Sequence, residues 1–145
     1  AFLAIGAPER VRSAIFAGLG YNMVRGVGGS GPIARALEAN SIDDVANDTA
    51  RTFRAFAEST NSDLKALAAC IRSARVKLTP EHLGQIRAPV LVAVGSDDVI
   101  GGSAEKLAEL IPGAEAFVIE GRDHMKAVGD RRYKEAVLDF LERRP

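Results

Sequence analysis

The stretch Pro89–Met125 limits what this chain can fold into more than any other. It opens with an unbroken apolar run, Val90-Leu91-Val92-Ala93-Val94, which stops at Gly95-Ser96-Asp97-Asp98. A short amphipathic segment follows, with Ser103 placed as its cap and Leu107, Leu110 and Ile111 on one face, and it ends at Pro112-Gly113. A second apolar run, Phe117-Val118-Ile119, stops at Glu120-Gly121-Arg122-Asp123-His124. Short apolar runs without polar alternation fit strands buried on both faces, as in parallel sheets. Parallel strands joined through a helix cross over with one hand, so the loops after both strands leave from the same edge. Open α/β sheets bind ligands at that edge. The expected fold class is therefore α/β, with parallel strands and crossover helices.

That edge gathers Asp97, Asp98 and His124. A carboxylate hydrogen-bonded to an imidazole fixes its tautomer and stabilises the imidazolium once the ring takes a proton, which is what a histidine general base requires. Either loop alone reads better as a plain turn or surface loop, since aspartate and glycine commonly end strands. Two such loops in register, each following a glycine, favour an acid–base pair. His82, the other histidine, sits between polar neighbours on a short helix and is expected at the surface. The two histidines have no metal-binding spacing, so neither a metal nor a cofactor is expected.

The rest of the chain supplies helices and one more strand. Ala1–Ala7 reads as the last turns of a helix, broken by Pro8, and Val11–Ala17 as a buried parallel strand ended by Gly18. Gly20–Gly31 reads as a flexible connection. Its Gly26-x-Gly28 does not directly link a strand end to a helix with an acidic residue at the distance a dinucleotide fingerprint requires. Pro32 is placed to start a short helix to Ala39. Ser41 and Asp44 are spaced as a capping box for a helix to about Glu58, with Val45, Thr49, Phe53, Phe56 and Ala57 on its inner face. Ser62 is placed to cap a helix facing inward through Leu64, Leu67, Ala68 and Ile71. Thr79-Pro80-Glu81 starts another short helix, and Asp130 caps the last one, with Tyr133, Val137, Phe140 and Leu141 inward. Residues 32–84 carry no strand signal. Cys70, the sole cysteine, falls in an alanine-rich helix and is expected to be a buried, inert thiol; it excludes an internal disulfide.

Nineteen basic and nineteen acidic side chains cancel, which removes the field that draws nucleic acid or anionic membranes. The basic residues Arg122, Lys126, Arg131, Arg132 and Lys134 alternate with Asp130, Glu135 and Asp139 and read as a solvated helix face. No apolar run approaches membrane-spanning length, and a cytoplasmic location is expected.

Taken together, these residues resemble the α/β-hydrolase fold family. Val90-Leu91-Val92-Ala93-Val94-Gly95-Ser96-Asp97-Asp98 looks like its acid-bearing segment. Ile111-Pro112-Gly113-Ala114-Glu115 through Ile119-Glu120-Gly121-Arg122-Asp123-His124 looks like its histidine segment. Val137-Leu138-Asp139-Phe140-Leu141 resembles its last helix, and Pro8-Glu9-Arg10-Val11-Arg12-Ser13 the approach to the strand after the nucleophile helix. The resemblance implies the C-terminal half of an α/β-hydrolase fold with a helical cap insertion. It divides the chain into residues 1–19 (end of the nucleophile helix and a core strand), 20–84 (cap) and 85–145 (acid and histidine loops). It makes Asp98 the triad acid, with Asp97 as the fallback, and His124 the base. The implied activity is hydrolysis of a small carboxylic ester by a Ser-His-Asp triad. Dehalogenation or epoxide opening are the alternatives on the same fold. No serine here has glycines two residues before and after it; Gly28-Gly29-Ser30-Gly31-Pro32 fails at Pro32. The nucleophile is thus expected before Ala1, and the chain by itself is expected to be inactive. A non-catalytic, self-associating module is the other reading, with Val11–Ala17 as an edge strand that pairs with a second copy into a homodimer or larger assembly.

Overall fold

Val90–Gly95 is the middle strand of a three-stranded parallel sheet, and all six of its residues are buried. With parallel partners on both sides and cover on both faces, only an uninterrupted apolar run fits there. The computed structural model describes residues 1–26, 30–73 and 78–143. In chain order these form α1 (Phe2–Gly6), β1 (Ala14–Ala17), α2 (Asn22–Arg25), α3 (Ser30–Glu38), α4 (Asp48–Ser59), α5 (Leu64–Arg72), α6 (Pro80–Leu83), β2 (Val90–Gly95), α7 (Ala104–Ala108), β3 (Glu115–Ile119) and α8 (Arg131–Glu142). The chain divides into a sheet unit, Ala1–Val27 with Lys77–Pro145, and a helical unit, Gly28–Val76. The helical unit is narrower than the expected 20–84. Met23 and Val24 on one side, and Leu78, Leu83 and Ile86 on the other, belong to the apolar core of the sheet unit.

In the sheet unit the strand order is β1-β2-β3. Ala17 is paired with Ala93, and Gly95 with Ile119, so the loops after all three strands emerge along one edge. Val90, Val92 and Val94 share a core with Phe16, Leu83, Ile86, Leu107 and Ile111. Leu91 and Ala93 point to the opposite face, as strand alternation requires. Burying each such Val, Leu or Ile stabilises by about 1.5–3 kcal/mol. α7 and α8 both pack on β2 and β3, and Phe140 of α8 is fully buried. Leu141, expected inward, is exposed. β1 is shorter than Val11–Ala17 and only its Phe16 is buried. Pairing with β2 begins at Ala14, opposite Val90, and among the described residues β1 has no partner on its other side.

The helical unit is built from α3, α4 and α5, whose core is mostly alanine: Ala36, Ala50, Ala57 and Ala68 with Ile33, Leu37 and Val45. Several starts differ from expectation. α3 begins at Ser30, before Pro32. Ser41 and Asp44 do form a capping box, but it closes a single 3-10 turn, Ile42–Asp44. α4 starts afresh at Asp48, because Asn47 accepts the amide of Ala50 at 2.8 Å and caps it there. Its inward face is consequently Ala50, Arg54 and Ala57, while Thr49 and Phe56 are exposed. Asp63 rather than Ser62 caps α5, accepting the amides of Lys65 and Ala66; Ser62 bonds the Thr60 hydroxyl instead. Cys70 is exposed, not buried, because the buried position of α5 is Ala68, two residues away and on the other side of the helix. The expected connection at 20–31 contains α2, and its residues 27–29 lie outside the described residues. No helix among the described residues is long and apolar enough to cross a membrane.

Candidate catalytic acid–base pair

The acid loop begins where β2 runs out of room. A Cβ at Gly95 would lie 2.0 Å from the Arg122 carbonyl oxygen, so only glycine lets the acid and histidine loops come this close. Backbone bonds then join the loops: Ser96 N–H donates to the Ile119 carbonyl at 3.1 Å, and Asp97 N–H to that of Arg122 at 3.1 Å. The Ser96 hydroxyl accepts from Gly121 N–H and donates to the Asp97 carboxylate, both at 2.8 Å.

Asp98 turns inward and its side chain is fully buried. Its Oδ1 accepts the amides of Ile100 at 2.9 Å and Gly101 at 2.7 Å. Its Oδ2 lies 2.9 Å from Nδ1 of His124, whose side chain is 31% exposed. Two amides and a ring N–H are the donors an ionised, buried carboxylate needs. With Nδ1–H given to Asp98, proton exchange with a reactant falls to Nε2. The ring lies over Gly18, where an added Cβ would sit 3.3 Å from its Cε1 and where φ is +68°.

The histidine loop is fixed at its base by a charge cluster. Asp130, which caps α8 and whose side chain is 3% exposed, accepts from Arg122 Nε at 2.5 Å, and from Nε and a terminal nitrogen of Arg132 at 3.2 Å each. A terminal Arg132 nitrogen also donates to the Glu120 carbonyl at 2.7 Å. These two guanidinium groups, Arg132 first, hold the Asp130 carboxyl far below the usual carboxylate range. Arg122 and Arg132 therefore close the loop, whereas Arg131 pairs along α8 with Glu135, as on a solvated face. Past the histidine, the amide and ammonium of Lys126 lower the Asp123 carboxyl.

The sequence matches no protein-family model and no curated protein. Its fold does match solved structures. A hydrolase from Pseudomonas aeruginosa PA01 superposes with a TM-score of 0.62 at 24% identity, over 97% of this chain and 59% of that one. The enol-lactonase from Burkholderia xenovorans LB400 gives 0.69 at 16% identity, over 97% and 60%. MenH from S. aureus gives 0.68 at 19%, over 97% and 62%. This is part of an α/β-hydrolase fold. The chain spans about 60% of the length of these structures, and at such identities the likeness is one of fold.

Within this part of the hydrolase fold, Asp98 and not Asp97 meets His124. Asp97 is exposed and its carboxylate takes the Ser96 hydroxyl. His82 is half-buried and local: its Nδ1 accepts from Thr79 N–H, and its own N–H donates to the Thr79 hydroxyl, both at 3.3 Å. Among the described residues no group of three or more His, Cys, Asp or Glu is placed to hold a metal ion. A cavity of about 400 Å³ beside the acid loop is lined by Val94, Ser96, Asp98 and Glu105 among others, but His124 does not reach it. The sequence marks Asp130 only as the cap of α8; neither its grip on Arg122 and Arg132 nor the bonds of Ser96 carry a local signal. Gly18 and Gly95, each ending an apolar run, were the only signals of the close approach.

Proposed function

We propose that this chain carries the acid and the base of a serine hydrolase acting on carboxylic esters. The observation that supports it best is the Asp98–His124 bond, 2.9 Å long, with the acid buried and held by two amides while the ring stays partly exposed. In this reading His124 Nε2 takes the proton of a serine hydroxyl as the oxygen attacks the ester carbonyl. It then delivers that proton to the departing alkoxide, and a water molecule repeats the cycle on the acyl-enzyme. Asp98 keeps the ring in the required tautomer and stabilises the imidazolium. Ser96, the serine nearest in sequence, is committed to Asp97 and Gly121, so the nucleophile and the oxyanion-hole amides are assigned to polypeptide preceding Ala1. The helical unit is the counterpart of the cap insertion.

The test is the longer polypeptide encoded with its upstream sequence. It should hydrolyse short-chain p-nitrophenyl esters and be labelled by a fluorophosphonate on serine, and Asp98→Asn should lower kcat about 10⁴-fold. Ester turnover that survives His124→Ala sinks the proposal. An aspartate at the nucleophile turn moves it to haloalkanes or epoxides. The 145-residue chain alone should turn over none of these esters, and as a separate chain it should self-associate through β1; a monodisperse monomer by light scattering would count against that pairing.

A further inference from the structure

The side chain of Asn22 does not cap its own helix: Tyr21 is the N-cap of α2 and makes no side-chain cap bond. The Asn22 amide reaches instead across 78 residues of sequence to the acid loop, donating to the Ile100 carbonyl at 2.8 Å and, more distantly, to that of Val99 at 3.4 Å. These carbonyls are the far ends of two particular peptide groups. The Ile100–Gly101 peptide gives its N–H to Asp98 Oδ1 at 2.7 Å, and the Val99–Ile100 peptide gives its N–H to the same oxygen at 2.9 Å. We infer that Asn22 is a positioning residue for the Asp98–His124 pair, orienting through their carbonyls both peptide groups whose N–H ends hold the acid.

The physical reason is polarisation along a chain of hydrogen bonds. A carbonyl that accepts a bond makes its own peptide N–H a better donor, so Asn22 strengthens the grip on Oδ1 and leaves Oδ2 directed at Nδ1 of His124. The surroundings allow little slack. Gly102, at φ +76°, comes so close that a Cβ there would lie 3.0 Å from the Asn22 amide carbon, and a Cβ at Gly101 would lie 3.0 Å from Asp98 Oδ2. The backbone is braced separately: the N–H groups of Gly20 and Asn22 both donate to the Gly101 carbonyl, at 2.9 and 3.2 Å, and Tyr21 N–H donates to that of Ser103 at 2.9 Å. Removing the Asn22 side chain therefore tests orientation without removing the bracket.

The catalytic meaning of this role rests on the hydrolase reading, while its test does not. In the 145-residue chain, Asn22→Ala should speed hydrogen exchange of the Ile100 and Gly101 amides about tenfold and move the low-field Nδ1–H proton signal of His124 toward its position in Asp98→Asn. Asn22→Leu, which fills a similar volume without a donor, should do the same and covers the case in which the alanine chain fails to fold. Unchanged exchange and an unchanged His124 signal in a folded variant overturn the inference. So does the absence, in the wild-type chain, of a scalar coupling between Asn22 Nδ2 and the Ile100 carbonyl carbon. If these signals behave as expected but the longer polypeptide has no His124-dependent ester turnover, the proposed function has failed and the coupling of Asn22 to the pair has not.

Discussion

In the sheet unit, backbone touches backbone. Side chains added at Gly20, Gly95 or Gly101 would overlap carbonyl oxygens at 2.6, 2.0 and 2.8 Å. In the helical unit the packing is mostly between alanine methyls, and two arginines add specific bonds: Arg72 of α5 pairs with Glu38 of α3, and Arg54 reaches the end of α3 from inside. Arg54 is buried, bonds Glu58 through Nε at 2.6 Å, and donates from one terminal nitrogen to the carbonyls of Ala36, Leu37 and Ala39 around the end of α3. A helix C-terminus has orphan carbonyls and a partial negative charge, and a guanidinium answers both. The two units thus concentrate their intolerance differently. No rotamer change relieves an overlap between peptide groups, whereas an alanine interface can be repacked.

The largest effect should come from Gly95→Ala. It must push the histidine loop away from the acid loop, and we expect a loss on the order of 4 kcal/mol in urea unfolding together with loss of the His124 Nδ1–H signal. Retention of that signal would mean that the two loops separate more easily than the contact with Arg122 implies. Arg54→Met should be next, costing about 3 kcal/mol, with exchange protection lost first at the end of α3. A cost near zero would show that the three helices hold together without the buried guanidinium.

Asp130 sharpens the comparison through pH. Its carboxyl is held below its unfolded value by Arg132 and Arg122, so the stability it adds is fully present above about pH 4 and is lost as pH falls below that. The melting temperature should drop steeply in acid, and Asp130→Asn should flatten that drop by lowering the neutral-pH value. A wild-type acid slope left unchanged in the variant removes Asp130 as its source. Asn47→Ala, which deletes the cap of α4, should cost about 1 kcal/mol by the same unfolding measurement. Cys70→Ser on exposed α5 should be the mildest, within about 0.5 kcal/mol; a larger loss would argue that the thiol is packed.

What could be read from sequence follows the range of the interaction. β2 was legible because a central parallel strand must be apolar along its length, and β3 through its apolar end Phe117–Ile119; the Asp98–His124 pairing followed from parallel crossover topology. Local caps were legible in kind but not always in place. The Ser41–Asp44 box forms, yet Asn47 a few residues later starts the helix, and Asp63 displaces Ser62; a capping side chain is common in sequence, and which one wins depends on where the helix can pack. The inner face of α4 differs in part for the same reason: Phe53 packs on the core as expected, but Ala50 and Arg54 turn inward while Thr49 and Phe56 face out. Cys70 was misjudged because alanine-rich helices look apolar all round. Asn22 left no local mark, and Asp130 showed only as a helix cap; the bonds of Asn22 to the acid loop and of Asp130 to Arg122 join parts that only the fold brings within reach.

The span of those bonds also orders events in time. The Asp98–His124 bond closes 26 residues, and the Asn22–Ile100 bond closes 78. Chain entropy makes the longer closure costlier by about 1 kcal/mol, and contacts of greater sequence separation slow folding. The acid and histidine can therefore meet inside the unit β2–α7–β3 before the segment carrying Asn22 arrives. Asn22→Leu should accordingly quicken unfolding while leaving the refolding rate almost unchanged, the behaviour of a residue whose contacts form after the transition state.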